Sequence, residues 1–189
     1  MESIKSIIQA SIDVKQQLLE NEELLSKIDA VVKVIVEALK KGGRIYFCGN
    51  GGSAADAQHL AAELSGRFYL ERKALPAEAF HTNTSYLTAV ANDYGYDAIY
   101  ARLVEGILNP GDILVGLSTS GNSANIVKAF ESAKANGIIT VGFTGWSGGV
   151  MKELSDYLFN VPSTDTPRIQ ESHILIGHII CQLVEEQCI

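Results

Sequence analysis

Cysteine is scarce in this chain: there are three, Cys48, Cys181 and Cys188, with no repeated spacing. That excludes a disulfide framework and a cysteine zinc finger, and a reducing cytoplasm is the expected location. Long uncharged apolar runs are also missing; none approaches the ~18–20 residues that cross a bilayer, so no membrane partner is expected. The opening MESIKSIIQASIDVK mixes both charges into its apolar positions and does not read as a signal peptide. Positive charge is in deficit, with 15 Lys and Arg against 22 Asp and Glu and a formal net charge of −7. Such a field argues against non-specific nucleic-acid binding. The pattern G-x-x-x-x-G-K-[ST] is absent, which argues against a nucleoside triphosphatase. With no low-complexity segment and no linker, the 189 residues are expected to form a single domain, too short to divide in two.

What is present is an alternation. Residues 2–20 and 24–41 carry apolar positions at helical spacing, and Gly42-Gly43 ends the second run. This hairpin (1–41) either packs on the core or offers an oligomer surface. Over 42–189, strand-like runs at 44–48, 77–80, 112–117, 138–143 and 157–161 alternate with helical stretches at 53–66, 84–105 (broken at Gly95), 122–136, 148–155 and 167–187. Several strands are apolar throughout, as strands buried on both faces are. The order predicts an α/β, three-layer αβα sandwich around a parallel five-stranded sheet.

Two loops follow strand ends, where ligands of such sheets bind. Ser118-Thr119-Ser120-Gly121-Asn122-Ser123 places four hydroxyls directly after a buried strand and before a helix. Helix N-termini carry open N–H groups and partial positive charge, so this is a phosphate cradle without lysine. It reconciles an anionic ligand with an acidic chain. A polar turn with a serine cap is the plain alternative. Asn50-Gly51-Gly52-Ser53 is more ambiguous: Gly49, Gly51 and Ala54 formally fit G-x-G-x-x-A, but no convincing acidic partner follows about 20 residues on, so a dinucleotide-dependent oxidoreductase is disfavoured.

His59, Glu63 and Arg67 recur at i, i+4 and i+8 on the helix that leaves the glycine loop, close to one face. Alone, such a pair is more often a surface ion pair. His178 sits in the apolar C-terminal helix among Ile174, Leu175, Ile179 and Ile180, where a quiet core histidine is the alternative, and Gln170 could be a solvated first-turn residue. His173 lies about 140° from His178 around that helix and faces elsewhere. His81 follows a strand end without further signal.

Taken together, CGNGGSAADAQHLAAELSGRF, AND at 91–93, STSGNSAN and RIQESHILIGH resemble the phosphoheptose (sedoheptulose-7-phosphate) isomerase family of the sugar isomerase (SIS) superfamily, over nearly the whole chain. The resemblance implies a SIS, flavodoxin-like fold. It implies conversion of sedoheptulose 7-phosphate to D-glycero-D-manno-heptose 7-phosphate through a cis-enediol, for bacterial surface heptose. By the same resemblance Asn50, Gly51, Gly52, Ser53, Arg67, Asn92, Asp93 and Gln170 contact the substrate, and Ser118, Thr119, Ser120 and Ser123 hold its phosphate. His59, Glu63, Gln170 and His178 are implied ligands of one zinc ion per subunit, and Glu63 and His178 the acid–base pair. Some members carry an acidic residue directly before R-I-Q-E; here it is Pro167, with Asp165 as a possible substitute.

Gln170 and His178 lie eight residues apart, about 12 Å along a helix and ~80° around it, so symmetry-related subunits meet at one ion more easily than one helix does. A homo-oligomer, a tetramer by resemblance, is expected, with assembly bringing the carboxylate and the imidazole together. The competing expectation is a non-catalytic SIS-fold protein that associates with a replication initiator or senses sugar phosphates. That replication partner lacks a histidine equivalent to His178.

Overall fold

The computed structural model describes residues 1–188. Two long helices, α1 (Glu2–Leu19) and α2 (Glu22–Lys40), lead into β1 (Ile45–Gly49). There follow α3 (Gly52–Ser65), β2 (Ala77–Ala79), α4 (Thr84–Tyr94), a 3-10 turn over Tyr96–Ala98, α5 (Ile99–Ile107) and β3 (Ile113–Leu117). The chain continues through α6 (Ala124–Ala135), β4 (Ile139–Thr144), α7 (Met151–Leu154), β5 (Tyr157–Asn160) and α8 (Thr166–Gln187). All strand pairs are parallel, in the order β2-β1-β3-β4-β5. The expected sandwich and its leading helices are therefore observed.

Side-chain alternation explains the layers. Ile45 and Phe47 of β1, Ile113 and Val115 of β3, and Val141 and Phe143 of β4 point to one face, under α2, α3 and α8. Tyr46 and Cys48 of β1 and Leu114 of β3 point to the other, under α4, α5 and α6. Period-two alternation and cover on both faces make each central strand apolar along its length. On that second face Gly116 leaves the space that the Phe130 ring occupies.

The strand order puts a topological switch between β1 and β3, because the chain leaves β1 to one side for β2 and returns on the other for β3. Crevices at such points are where open α/β sheets bind ligands. Both donor-rich loops open there.

The N-terminal helices divide their roles. Asn21 caps α2, its side-chain oxygen accepting from the Leu24 N–H. Val31, Val32 and Ile35 then bury α2 on the sheet. Only Val14 and Leu18 of α1 are buried, and Ile4, Ile7, Ile8 and Ile12 stand exposed. Arg168 and Glu171 hold α1 to α8: Arg168 donates to the Ile7 carbonyl at 3.0 Å, and Ser11 donates to the Glu171 carboxylate at 2.7 Å.

His173 faces away from His178, as its helical angle requires. It is fully buried edge-on to Phe143, and its Nε2–H donates to the Thr144 carbonyl at 3.1 Å. Burial lowers its pKa to about 4, so the ring is neutral in the fold. The unfolded ring, with a pKa near 6.5, takes up a proton first, so this group's stabilisation is lost as pH falls from about 6.5 to 4. Denaturant titrations at pH 7 and pH 5 should show wild type losing up to about 1.4 kcal/mol per pH unit more than His173→Gln within that window. Parallel pH profiles would remove His173 as the cause.

Candidate active site

The site begins with the turn out of β1. Gly51 adopts φ +56°, a left-handed conformation that side chains disfavour, and it opens α3. The first bonds into α3 run from the Ala54 and Ala55 N–H groups to the Gly51 carbonyl. Among the described residues, the N–H groups of Gly52 and Ser53 have no protein acceptor. Such groups are anion donors by position.

The second loop is braced from behind. Gly121, at φ +68°, lies so close to Gly148 that any Cβ would collide with its backbone. The Gly121 carbonyl accepts from Met151 N–H, and Asn122 Oδ1 accepts from Val150 N–H. Ser118 and Ser123 hydroxyls meet at 2.8 Å across the loop. The N–H groups of Ser123, Ala124 and Asn125 at the start of α6 have no protein acceptor among the described residues. Beside the loop, a cavity of about 300 Å³ is lined by Thr119, Ser120, Asn122, Trp146, Ser163 and Thr166.

The two loops are tied together. Asn50 Nδ2 donates to Asn125 Oδ1 at 2.8 Å, and Asn125 Nδ2 donates back to Asn50 Oδ1 at 2.8 Å. Tyr96 adds its hydroxyl to Asn50 Oδ1 at 3.1 Å, and Tyr100 donates to the Gly49 carbonyl at 2.6 Å. The turn after α4 thus forms a third wall.

On α3, His59 and Glu63 stand one turn apart, with His59 Nε2 at 3.0 Å from Glu63 Oε1. His178 of α8 comes to 3.0 Å from His59 Nε2, and ligand atoms of all three residues lie within 4.8 Å of one another. One chain brings the carboxylate and the imidazole together, so the expectation that assembly does so is corrected. The cause is close parallel packing of α3 and α8. A Cβ at Gly177 would fall 2.5 Å from the nearest Leu60 methyl, so glycine there lets the helices approach and sets His178 beside His59. Burial, with His59 adjacent, lowers the His178 imidazole below its ordinary pKa against the opposing pull of Glu63.

Phe68 stacks on the His178 ring, with centroids 5.4 Å apart and planes at 23°. Its segment is pinned to α8 by Glu185, whose buried carboxylate accepts from the Phe68, Tyr69 and Leu70 N–H groups at 3.0, 2.7 and 2.9 Å. Burial alone would raise the Glu185 carboxyl, but these donors and Arg72 outweigh it and hold it below its ordinary pKa. Arg72, 2.9 Å from Glu185, also donates to the Glu63 and Leu64 carbonyls at the end of α3.

Other candidate positions lie apart. Gln170 sits against Gly52, at the start of α3, and not with the three-residue cluster. Arg67 leaves the helix, because α3 ends at Ser65, and its nearest carboxylate is Glu71 at 4.0 Å. Asn92 and Asp93 are exposed at the end of α4 and bonded to each other. Asp165 is the exposed N-cap of α8 and its side chain caps nothing, with Pro167 in the first turn. His81 is half-buried, its ring nitrogens have no hydrogen-bond partner among the described residues, and burial lowers its pKa. Sequence reasoning gave no role to Asn125, Tyr96, Phe68, Arg72 or Glu185. For Asn125 the signal was available, since it belongs to STSGNSAN and falls in the first turn of a helix.

The donor set suits zinc. Two imidazole nitrogens and a carboxylate oxygen, with a fourth position open, form a ligand set of catalytic type. Bonds of about 2.0–2.1 Å in tetrahedral geometry put ligand atoms about 3.3 Å apart, so the two 3.0 Å spacings to His59 open by a few tenths of an ångström, while Glu63 and His178, up to 4.8 Å apart, close by about 1 Å.

Residues 8–145 match the family model described as SIS domain. A phosphoheptose isomerase from Aneurinibacillus thermoaerophilus is 55% identical over 183 residues, covering 97% of this chain and 92% of that protein. The structure of phosphoheptose isomerase from Neisseria gonorrhoeae superposes with a TM-score of 0.92 at 39% identity, covering 98% of each chain. That of Francisella tularensis gives 0.93 at 36% identity, over 98% of this chain and 97% of its own. With that identity over nearly its full length, the chain belongs to the phosphoheptose isomerase family of SIS-domain proteins.

Proposed function

We propose that this chain is a sugar-phosphate isomerase that converts sedoheptulose 7-phosphate to D-glycero-D-manno-heptose 7-phosphate in bacterial heptose biosynthesis, in the cytoplasm. The observation that carries the reading is the cluster of His59, Glu63 and His178 on α3 and α8, with α3 springing from one of two donor-rich loops at the sheet's switch point. A module that only bound a sugar phosphate, or a replication partner, would need the loops but not the cluster.

In this reading Ser118, Thr119, Ser120 and Ser123, with the open N–H groups of α6, hold the phosphate without a lysine. Backbone N–H groups at Gly52 and Ser53 face the sugar end. Moving the carbonyl from C2 to C1 requires a proton to leave C1 and another to arrive at C2 through a cis-enediol. Glu63 takes the C1 proton and delivers one to C2 of the enediol; its Oε1 faces His59, and among the described residues Oε2 has no hydrogen bond. His178, with its pKa below the ordinary value, carries protons between O1 and O2. Phe68 holds the ring in place. His59, Glu63 and His178 would hold a zinc ion, which when bound supplies Lewis-acid polarisation of a sugar oxygen.

Assembly belongs to the same reading. The isoleucines of α1 form an exposed apolar stripe, and a homo-oligomer, a tetramer by family resemblance, would cover it. Gln170, about 12 Å from His178 along α8, would reach such a cluster from a neighbouring subunit.

Glu63→Gln should keep the fold by circular dichroism and lower turnover of sedoheptulose 7-phosphate by at least about 10²-fold, the usual scale for a lost general base. Full turnover would remove Glu63 from that role. Zinc added to chelator-treated protein should raise its melting temperature, and His59→Ala should abolish the rise, as ligand linkage requires. Ile8→Glu should lower the sedimenting mass and the activity together. A fully active monomer would rule out a contribution from the neighbour.

A further inference from the structure

Asn50 is implied by family resemblance to touch the sugar, yet its side chain is already committed. Its Nδ2 donates to Asn125, and its Oδ1 accepts from both Asn125 and Tyr96. The Ile126 N–H donates to Asn125 Oδ1 at 3.0 Å, which identifies that atom as the oxygen and fixes the sense of the reciprocal amide pair. Asn125 is 2% exposed and sits in the first turn of α6, the helix whose N-terminus forms the second loop. The pair therefore joins the loop after β1 to the helix after β3, 75 residues away in the chain.

We propose that Asn125 is a positioning residue, and that its amide pair with Asn50 fixes the distance between the two ligand loops so that both ends of one phosphorylated sugar are held at once. The role rests on the sugar-phosphate reading above. Two hydrogen bonds closing a ring between planar amides restrict both separation and twist, which one bond would not. Asn50 then acts on the phosphate end, which its own loop does not form. Direct contact with the sugar predicts no such effect at a distance.

The experiment measures binding of inorganic phosphate by calorimetry and turnover of sedoheptulose 7-phosphate, for wild type, Asn50→Ala, Asn125→Ala and the double variant. Phosphate affinity tests the clasp, and wild-type turnover tests the function. Each single substitution is expected to weaken phosphate binding by about tenfold and to raise KM by a similar factor with a smaller change in kcat, the scale of a lost hydrogen-bonded pair. The double variant should be no worse than the weaker single, since two residues acting only through each other lose their effect together. Unchanged phosphate affinity in Asn50→Ala, or effects that multiply in the double variant, would overturn the proposal. Should Asn125→Ala fail to fold, the half-buried Asn50→Ala decides alone by its phosphate affinity. A wild type that binds phosphate with the expected coupling but does not isomerise the sugar overturns the function and leaves the clasp standing.

Discussion

The site depends on the contact between α3 and α8. Both helices lie on one face of the sheet and run in parallel, and Gly177 against Leu60 is where they approach most closely. Everything proposed for chemistry sits beside that contact: His59 and Glu63 one residue and one turn from it on α3, His178 next to Gly177 on α8. A side chain at 177 would push the helices apart and move the His178 ring away from His59 and Glu63. Arg72 and Glu185 reinforce the same separation two turns further along. Glu185 belongs to α8, and Arg72 holds the last carbonyls of α3, so the buried ion pair spans both helices. A pair of this kind adds little net stability over apolar packing, but it costs a great deal to break, which suits it to fixing geometry.

The loops follow a similar logic with different parts. An acidic chain can hold an anion if the positive ends of helices do the work, and here two helices begin at neighbouring strand ends. Their donors are useful only if the loops keep a fixed spacing. Main-chain contacts from the 145–151 segment brace one loop, and side-chain amides link it to the other. Fixed dipoles of this sort need no rearrangement when ligand arrives.

Much of the architecture was legible because it is written in local patterns. Apolar runs of strand length, glycine-bearing turns and helical periodicity gave all five strands and the break at Gly95, with boundaries off by a residue or two. The position of His173 followed from helical angle alone. Tertiary geometry was less accessible. The eight-residue gap from Gln170 to His178 argues that one helix does not easily aim both at one point; in the fold Gln170 packs against Gly52. It did not show that His178 would meet Glu63 within the chain, because that depends on a glycine in one helix and a leucine in the other, distant in sequence. Arg67 lies one residue beyond the helix read over 53–66, so the i, i+8 spacing does not carry it onto the face of His59 and Glu63; α3 ends at Ser65 with Gly66 as its C-cap. The partners of Asn125, Arg72 and Glu185 were invisible for a related reason, although the loop motif marks Asn125 itself. Each acts through partners between about 70 and 120 residues away or across a loop, and no periodicity encodes such pairing.

The placement of α8 has a consequence for how the molecule is made. This helix follows every strand in the chain, yet it supplies Ile176, Ile180 and Val184 to the core on the face shared with β1, β3 and β4. Before this helix is made, α2 and α3 alone lie on that face of the nascent sheet, and Glu63 is without the His178 ring. A chain stopped before α8 would leave part of that apolar face open and the three-residue cluster without His178.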